Sequence, residues 1–227
     1  MSRITQLLLS QIGGSTLDDL AGQIGAPKSA TERAVETAIP ALIGGLARNA
    51  NSSPGGAAAL AGALDRDHDG SLLDDVGGLL QAFGGGGRKK GGLGGLLGAA
   101  AGAALGGKPR DRAANGAGIL RHVFGDRLGQ VEKTVGHSSG LDMAQVSRLL
   151  VMLAPLVMGA LGKLKRDQSL DPRQLAGLLG QERDNLAASQ PAMGGFLKML
   201  DSDGDGDVTD DALQLGSGLL KGFLKRR

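Results

Sequence analysis

The sequence predicts an all-α protein made of internally duplicated helical units, with a glycine-rich segment between them and an acidic loop in each. Apolar residues recur at helical spacing between glycine and proline stops along most of the 227-residue chain. Two distant stretches also repeat one residue pattern. The chain has no Trp, Tyr or Cys and only four Phe, so its core must consist of Leu, Ala, Val, Ile and Met.

The first half contains a series of short helical patterns. Ser15 and Thr16 provide an N-cap, and Gly25 is a helix stop. Pro40 lies inside a long apolar pattern, and we expect a kink or a break there because proline lacks the amide donor. The helices predicted here are Leu7–Ile12, one from Ser15 to Gly25, one from Pro27 to Leu46, Pro54–Leu64 and Val76–Phe83.

The second half starts the pattern again near Ile119. The distance from Gly25 to Pro40 equals that from Gly140 to Pro155, and the apolar residues 40–46 match 155–161. This parallel indicates an internal duplication. Further helices are predicted from about Gln181 to Leu200 and from Asp210 to Arg227.

These patterns divide the chain into residues 1–83, 84–116 and 117–227. The middle region is uncharged from Gly91 to Gly107, and its glycines at 94, 98, 102 and 106 are four residues apart. Such spacing allows close helix packing, as in membrane helix pairs, although this stretch is short for a membrane span. We therefore consider a linker, a helical self-association face that would form a homo-oligomer, and, as the least favoured choice, membrane contact.

Two acidic loops carry the clearest chemistry. Residues 65–76 (the first acidic loop) and 201–212 (the second acidic loop) both begin with three aspartates at alternate positions followed by glycine. This is how an EF-hand calcium loop begins, because a hard cation takes six to eight oxygens from a sharply turning chain. The predicted metal ligands are Asp65, Asp67, Asp69, Ser71 (through its carbonyl) and Asp75, and Asp201, Asp203, Asp205, Asp207 (through its carbonyl) and Asp211.

Both loops depart from the EF-hand pattern at the same place. Position twelve, which should be a bidentate Glu, is Val76 in one and Ala212 in the other, and an acidic pair precedes it. We therefore expect weak binding of Ca²⁺, with Mg²⁺ as the less favoured ion, and dissociation constants near the ~10⁻⁴ to 10⁻³ M end of the range. The competing interpretation is that the aspartates only cap the following helices.

Other functions have less support in the sequence. His68, His122 and His137 show no metal-ligand spacing, and no Ser lies in a nucleophile elbow, so we expect a non-enzymatic protein. His122 is predicted to be a half-buried helix residue. A net charge of +2 does not call for a nucleic-acid partner, and the short apolar run at the start is not typical of a signal peptide, so we expect a cytoplasmic location.

Residues 20–35 also have the pattern of a helix-turn-helix. A DNA-binding version needs basic and amide side chains at the front of its second helix. Here Lys28 and Arg33 are offset by Glu32 and Glu36. We therefore favour an ordinary helical hairpin and keep DNA binding as an alternative.

The chain resembles a known bacterial family. The stretches that carry the resemblance are residues 38–50, the first acidic loop, Ile119–Gly125 and Met152–Gly162. They are similar to the family of unknown function DUF937. The resemblance implies a small helical bacterial protein and brings no activity with it.

Overall fold

The computed structural model describes residues 8, 14–53, 55–67 and 115–189. All secondary structure in these ranges is helical, which confirms the predicted all-α class. The helices are α1 (Ser15–Ile24), α2 (Lys28–Asn51), α3 (Gly56–Asp67), α4 (Gly116–Phe124), a 3-10 turn (Gly125–Arg127), α5 (Leu128–Ser139), α6 (Met143–Asp167) and α7 (Pro172–Ser189).

Several predicted segments lie outside these ranges. They include the predicted helix Val76–Phe83, nearly all of the glycine-rich region, the second acidic loop and the predicted helix from Asp210 to Arg227. Of the predicted helix Leu7–Ile12, only Leu8 is described, and it is helical and fully buried.

The first helix begins and ends where the sequence predicts. Gly25 has φ 68°, the left-handed conformation that a glycine adopts without strain. Its amide donates to Gly22 O at 3.3 Å, and the Ala26 amide donates to Ala21 O at 3.0 Å. These two bonds form a Schellman motif, which satisfies carbonyls at the end of α1.

The long helix α2 excludes one of the two alternatives at Pro40. It runs uninterrupted from Lys28 to Asn51 with Pro40 inside it, so the chain does not break there. Pro155 lies inside α6 in the same way. Both prolines are buried among apolar neighbours, and the packing of the surrounding residues holds each helix together despite the missing amide donor.

α2 and α6 form the centre of the protein. Every residue of 38–47 in α2 and of 152–162 in α6 is buried. A helix that is covered on all sides belongs to the core. Among the described helices, α6 alone has the length and apolar composition to cross a membrane, and 72% of its most apolar window is buried inside the fold, as expected of a core helix.

The remaining helices pack around this pair. α2 contacts every other described α-helix, and α6 contacts α1 to α5. All the buried apolar side chains from 14–53, 55–67 and 115–189 except Ala21 belong to one cluster. The described parts of the two predicted repeats therefore share a single core.

The helix predicted from Gln181 begins earlier, at Pro172. The Asp171 side chain accepts hydrogen bonds from the amides of Arg173 (2.8 Å) and Gln174 (2.9 Å). The Gln174 side chain in turn accepts from the Asp171 amide. This is a capping box with proline in the first helical position, a sequence signal that fixes the start of α7.

Candidate functional site

The first acidic loop begins inside α3. This helix was expected to end at Leu64 and instead continues through Asp67. Asp69, Ser71 and Asp75 lie outside the described residues, as do all five predicted ligands of the second loop. Within 14–53, 55–67 and 115–189, no three His, Cys, Asp or Glu residues are grouped so as to hold a metal ion.

Asp65 is the predicted ligand whose side chain the structure describes. Its Oδ1 lies 2.7 Å from Lys165 Nζ, and the Asp65 side chain is 54% exposed whereas that of Lys165 is 15% exposed. The ion pair joins the end of α3 to the last part of α6. The Lys165 ammonium thus occupies a carboxylate oxygen that position one of a calcium loop would offer to the ion.

The helix-turn-helix pattern corresponds to α1, the turn at Gly25–Pro27 and α2. Lys28 Nζ lies 2.7 Å from Asp18 Oδ1, and Arg33 Nη2 donates to Ser139 O at 2.9 Å. Both basic residues that a DNA-reading helix would need are therefore engaged within the chain. The first turns of α2 expose Glu32 as well, which does not favour a phosphate backbone.

Side chains of α2 and α6 cap helix ends from the other half. Arg33 of α2 donates to the carbonyl at the end of α5, and Gln145 Nε2 of α6 donates to Gly25 O at the end of α1, at 2.9 Å. A helix end leaves carbonyls without partners, and charged or amide donors satisfy them. These two hydrogen bonds join the two halves of the chain near the first turns of α2 and α6.

The short helix α4 is held at both of its ends. At its start, a Cβ on Gly116 would overlap the Val151 carbonyl oxygen of α6. At its end, Arg48 Nη2 donates to Val123 O (3.0 Å) and Asn49 Nδ2 donates to His122 O (2.9 Å). α4 is thus fixed between α2 and α6.

A pocket of about 230 Å³ lies among α2, α3, α4 and α6. Its polar lining residues are Asn49, Asn115 and His122. His122 is exposed, so the prediction of a half-buried side chain is wrong although it does lie in a helix. The apolar lining residues are Leu46, Leu60, Ala63, Ile119, Val123 and Met158.

Sequence reasoning did not find this pocket. Its walls come from helices that are far apart in the chain, and each apolar wall residue follows the ordinary core spacing of its own helix. The only local signal is Asn115, an N-cap whose Oδ1 accepts from the Gly118 amide at 2.9 Å. That signal indicates a helix start and says nothing of a cavity.

These features define a small all-helical protein with two buried central helices and a pocket beside the short helix α4. The chain belongs to the family described as "Bacterial protein of unknown function (DUF937)", whose model matches residues 6–104 and 94–164. The match confirms the resemblance carried by residues 38–50 and Met152–Gly162. No curated protein and no solved structure matches the chain.

Proposed function

We propose that this is a non-enzymatic helical protein that binds calcium weakly through its two acidic loops. The observation that carries the proposal is the repeated sequence of three alternate aspartates, a glycine and an acidic pair, with the same departure at position twelve. A plain turn does not require three spaced carboxylates, whereas a hard cation does.

The geometry at the first loop supports a specific binding event. Asp65 lies at the end of α3 with a half-exposed carboxylate, which an incoming ion can reach. Residues two apart in an α-helix are rotated by roughly 200°, so Asp65 and Asp67 can share an ion only if the last turn of α3 opens. Calcium must also displace the Lys165 ammonium. Both requirements favour low affinity.

We also propose that the two halves arose by duplication. α2 and α6 each carry a proline twelve residues after their first residue, Lys28 or Met143. Each follows a glycine with positive φ, 68° at Gly25 and 78° at Gly140.

Isothermal titration of the metal-free protein with calcium tests the binding. We expect heat at both loops, reduced by about half in Asp65→Ala/Asp67→Ala and in Asp201→Ala/Asp203→Ala, with dissociation constants on the order of 0.1–1 mM. Glu32→Ala/Glu36→Ala, which removes two exposed carboxylates from α2, is the matched control and should leave the heat unchanged. No heat and an unchanged melting temperature at millimolar calcium would end the proposal.

A second variant tests the competition with Lys165. In Lys165→Met the Asp65 carboxylate loses its ammonium partner, and calcium no longer has to displace it. Because partly exposed ion pairs contribute up to about 1 kcal/mol, the affinity of the first loop should rise about two- to five-fold. The second loop should be unaffected, and an equal change at both loops would contradict this role of Lys165.

A further inference from the structure

The pocket among α2, α3, α4 and α6 is a recess that opens to solvent on one side. This pocket measures about 230 Å³. It is bounded on one side by α4, which Gly116 fixes against α6 and which Arg48 and Asn49 fix against α2. With both ends of α4 fixed, the helix cannot simply move inward to close the space.

The pocket walls combine an apolar surface with two amides of known orientation. Asn49 donates one amide hydrogen to His122 O, and its Oδ1 remains as an acceptor. Asn115 accepts the Gly118 amide through its Oδ1, which leaves its Nδ2 as a donor. The two residues line the same pocket, so they offer one acceptor and one donor beside a wall that includes Leu60, Ile119 and Met158.

We infer that this pocket binds a small neutral molecule with an apolar body and one amide or similar group that both donates and accepts hydrogen bonds. A cavity of about 150 Å³ holds benzene, so this one takes about nine non-hydrogen atoms. An α-helix, about 10 Å across, is too wide for this volume. None of the lining residues except His122 can carry a charge, so the pocket offers an ionic ligand no fixed counter-charge. This site is independent of the proposed calcium loops.

Three probes of the same size and shape test the ligand class: benzamide, acetophenone and benzoate. Benzamide offers both a donor and an acceptor, acetophenone offers only an acceptor, and benzoate carries a negative charge. We expect benzamide to bind with a dissociation constant on the order of 0.1–1 mM. Acetophenone should bind about 3–10-fold more weakly because Asn49 Oδ1 then lacks a donor, and benzoate more weakly still.

The binding position is read from the methyl resonances of the protein labelled at its methionine methyl groups. Met158 lines the pocket, whereas Met152, equally buried in α6, does not, and Met143 is exposed. Benzamide should shift the Met158 resonance, assigned through Met158→Leu, and leave those of Met152 and Met143 in place. No shift of Met158 up to the solubility limit of all three probes would overturn the proposal.

Two pairs of variants separate the pocket from general effects on the fold. Ala63→Phe fills the pocket from α3 and should abolish the Met158 shift, whereas Ala59→Phe on the exposed face of the same helix should preserve it. Asn115→Asp keeps the oxygen that caps α4 and removes the amide donor, so it should weaken benzamide about 3–10-fold. Equal affinity for the three probes, or binding that survives Ala63→Phe, would refute the assignment.

Discussion

α2 and α6 have nearly the same length and carry a proline at the same position, yet α4 packs against them in different ways. On α2, α4 meets Gly45, where an added Cβ would lie 2.5 Å from Phe124 Cε1 and 2.7 Å from Val123 Cγ1. On α6, it meets the backbone carbonyl of Val151, four residues before Pro155. Proline has no amide to bond that carbonyl, which leaves room for the close approach of Gly116.

The starts of the two helices differ as well. α6 begins with a capping box, in which Asp142 accepts from the Gln145 amide at 2.8 Å and Gln145 accepts from the Asp142 amide at 3.1 Å. The N-cap residue of α2 is Pro27, which provides no side-chain cap. The comparison shows that a shared apolar pattern specifies two long core helices, while the contacts that position them are particular to each.

The largest expected effect distinguishes the two contacts of α4. Gly116→Ala forces a Cβ into the Val151 carbonyl and should lower the free energy of unfolding by about 3 kcal/mol, because a backbone atom cannot move aside. Gly45→Ala should cost less, about 1–2 kcal/mol, because the Phe124 ring can shift. Urea denaturation measures both. Gly129→Ala in α5, with open space around its Cβ, should instead stabilise by about 0.5–1 kcal/mol.

A smaller effect of opposite sign is expected in α7, which follows α6 as α3 follows α2. Glu182 is 7% exposed, and its Oε2 has no hydrogen-bond partner among the residues that the structure describes. A buried polar atom without a partner is costly, so Glu182→Met should raise the free energy of unfolding by about 1–3 kcal/mol. Gln181→Met, on the exposed side of the same helix, is the control. Destabilisation by Glu182→Met would show that the carboxylate is stabilised by its surroundings.

Each half of the chain provides a side chain that caps a helix end of the other half, and the two caps should contribute about equally to the stability of the fold. Arg33→Met leaves the Ser139 carbonyl without its charged donor. Gln145→Met leaves the Gly25 carbonyl without its amide donor and also removes the acceptor of the Asp142 amide. Each should lower the free energy of unfolding by about 1–2 kcal/mol in urea. Arg148→Met, at an exposed position of α6, should be within about 0.5 kcal/mol of the parent protein. If Arg33→Met changed the free energy of unfolding as little as Arg148→Met, the hydrogen bond from α2 to α5 would not stabilise the fold.

The smallest effect concerns the unequal helix starts. Asp142→Ala removes the capping box of α6 and should cost about 1 kcal/mol, a fall of roughly 2–4 °C in melting temperature. Asp142→Ser retains a capping oxygen and should recover most of the loss. Pro27→Ala at the start of α2 removes no side-chain cap and should change little. If the Asp142→Ser variant has as low a melting temperature as Asp142→Ala, a capping oxygen at this position does not stabilise the start of α6.

Much of the helical arrangement was predictable from local sequence signals. The end of α1 at Gly25 and the start of α2 after Pro27 follow from the glycine and proline. Packing kept α2 continuous through Pro40, where the sequence left a kink or a break open. The errors are the start of α7, where the capping box at Asp171 was overlooked, the end of α3 and the exposure of His122. The two acidic loops stay predictions, since only Asp65 has a described side chain among their ligands.

By itself the sequence determined the all-helical class, the core character of α2 and α6 and the positions of the glycine stops. These features depend on residues within a turn or two of one another, and their spacing is visible in the chain. Only the tertiary structure decided that Lys165 pairs with Asp65, that α4 lies against Val151 and that a pocket opens beside it. Every residue offers a carbonyl and every core helix offers apolar side chains, so no local pattern selects the distant partner that each one meets.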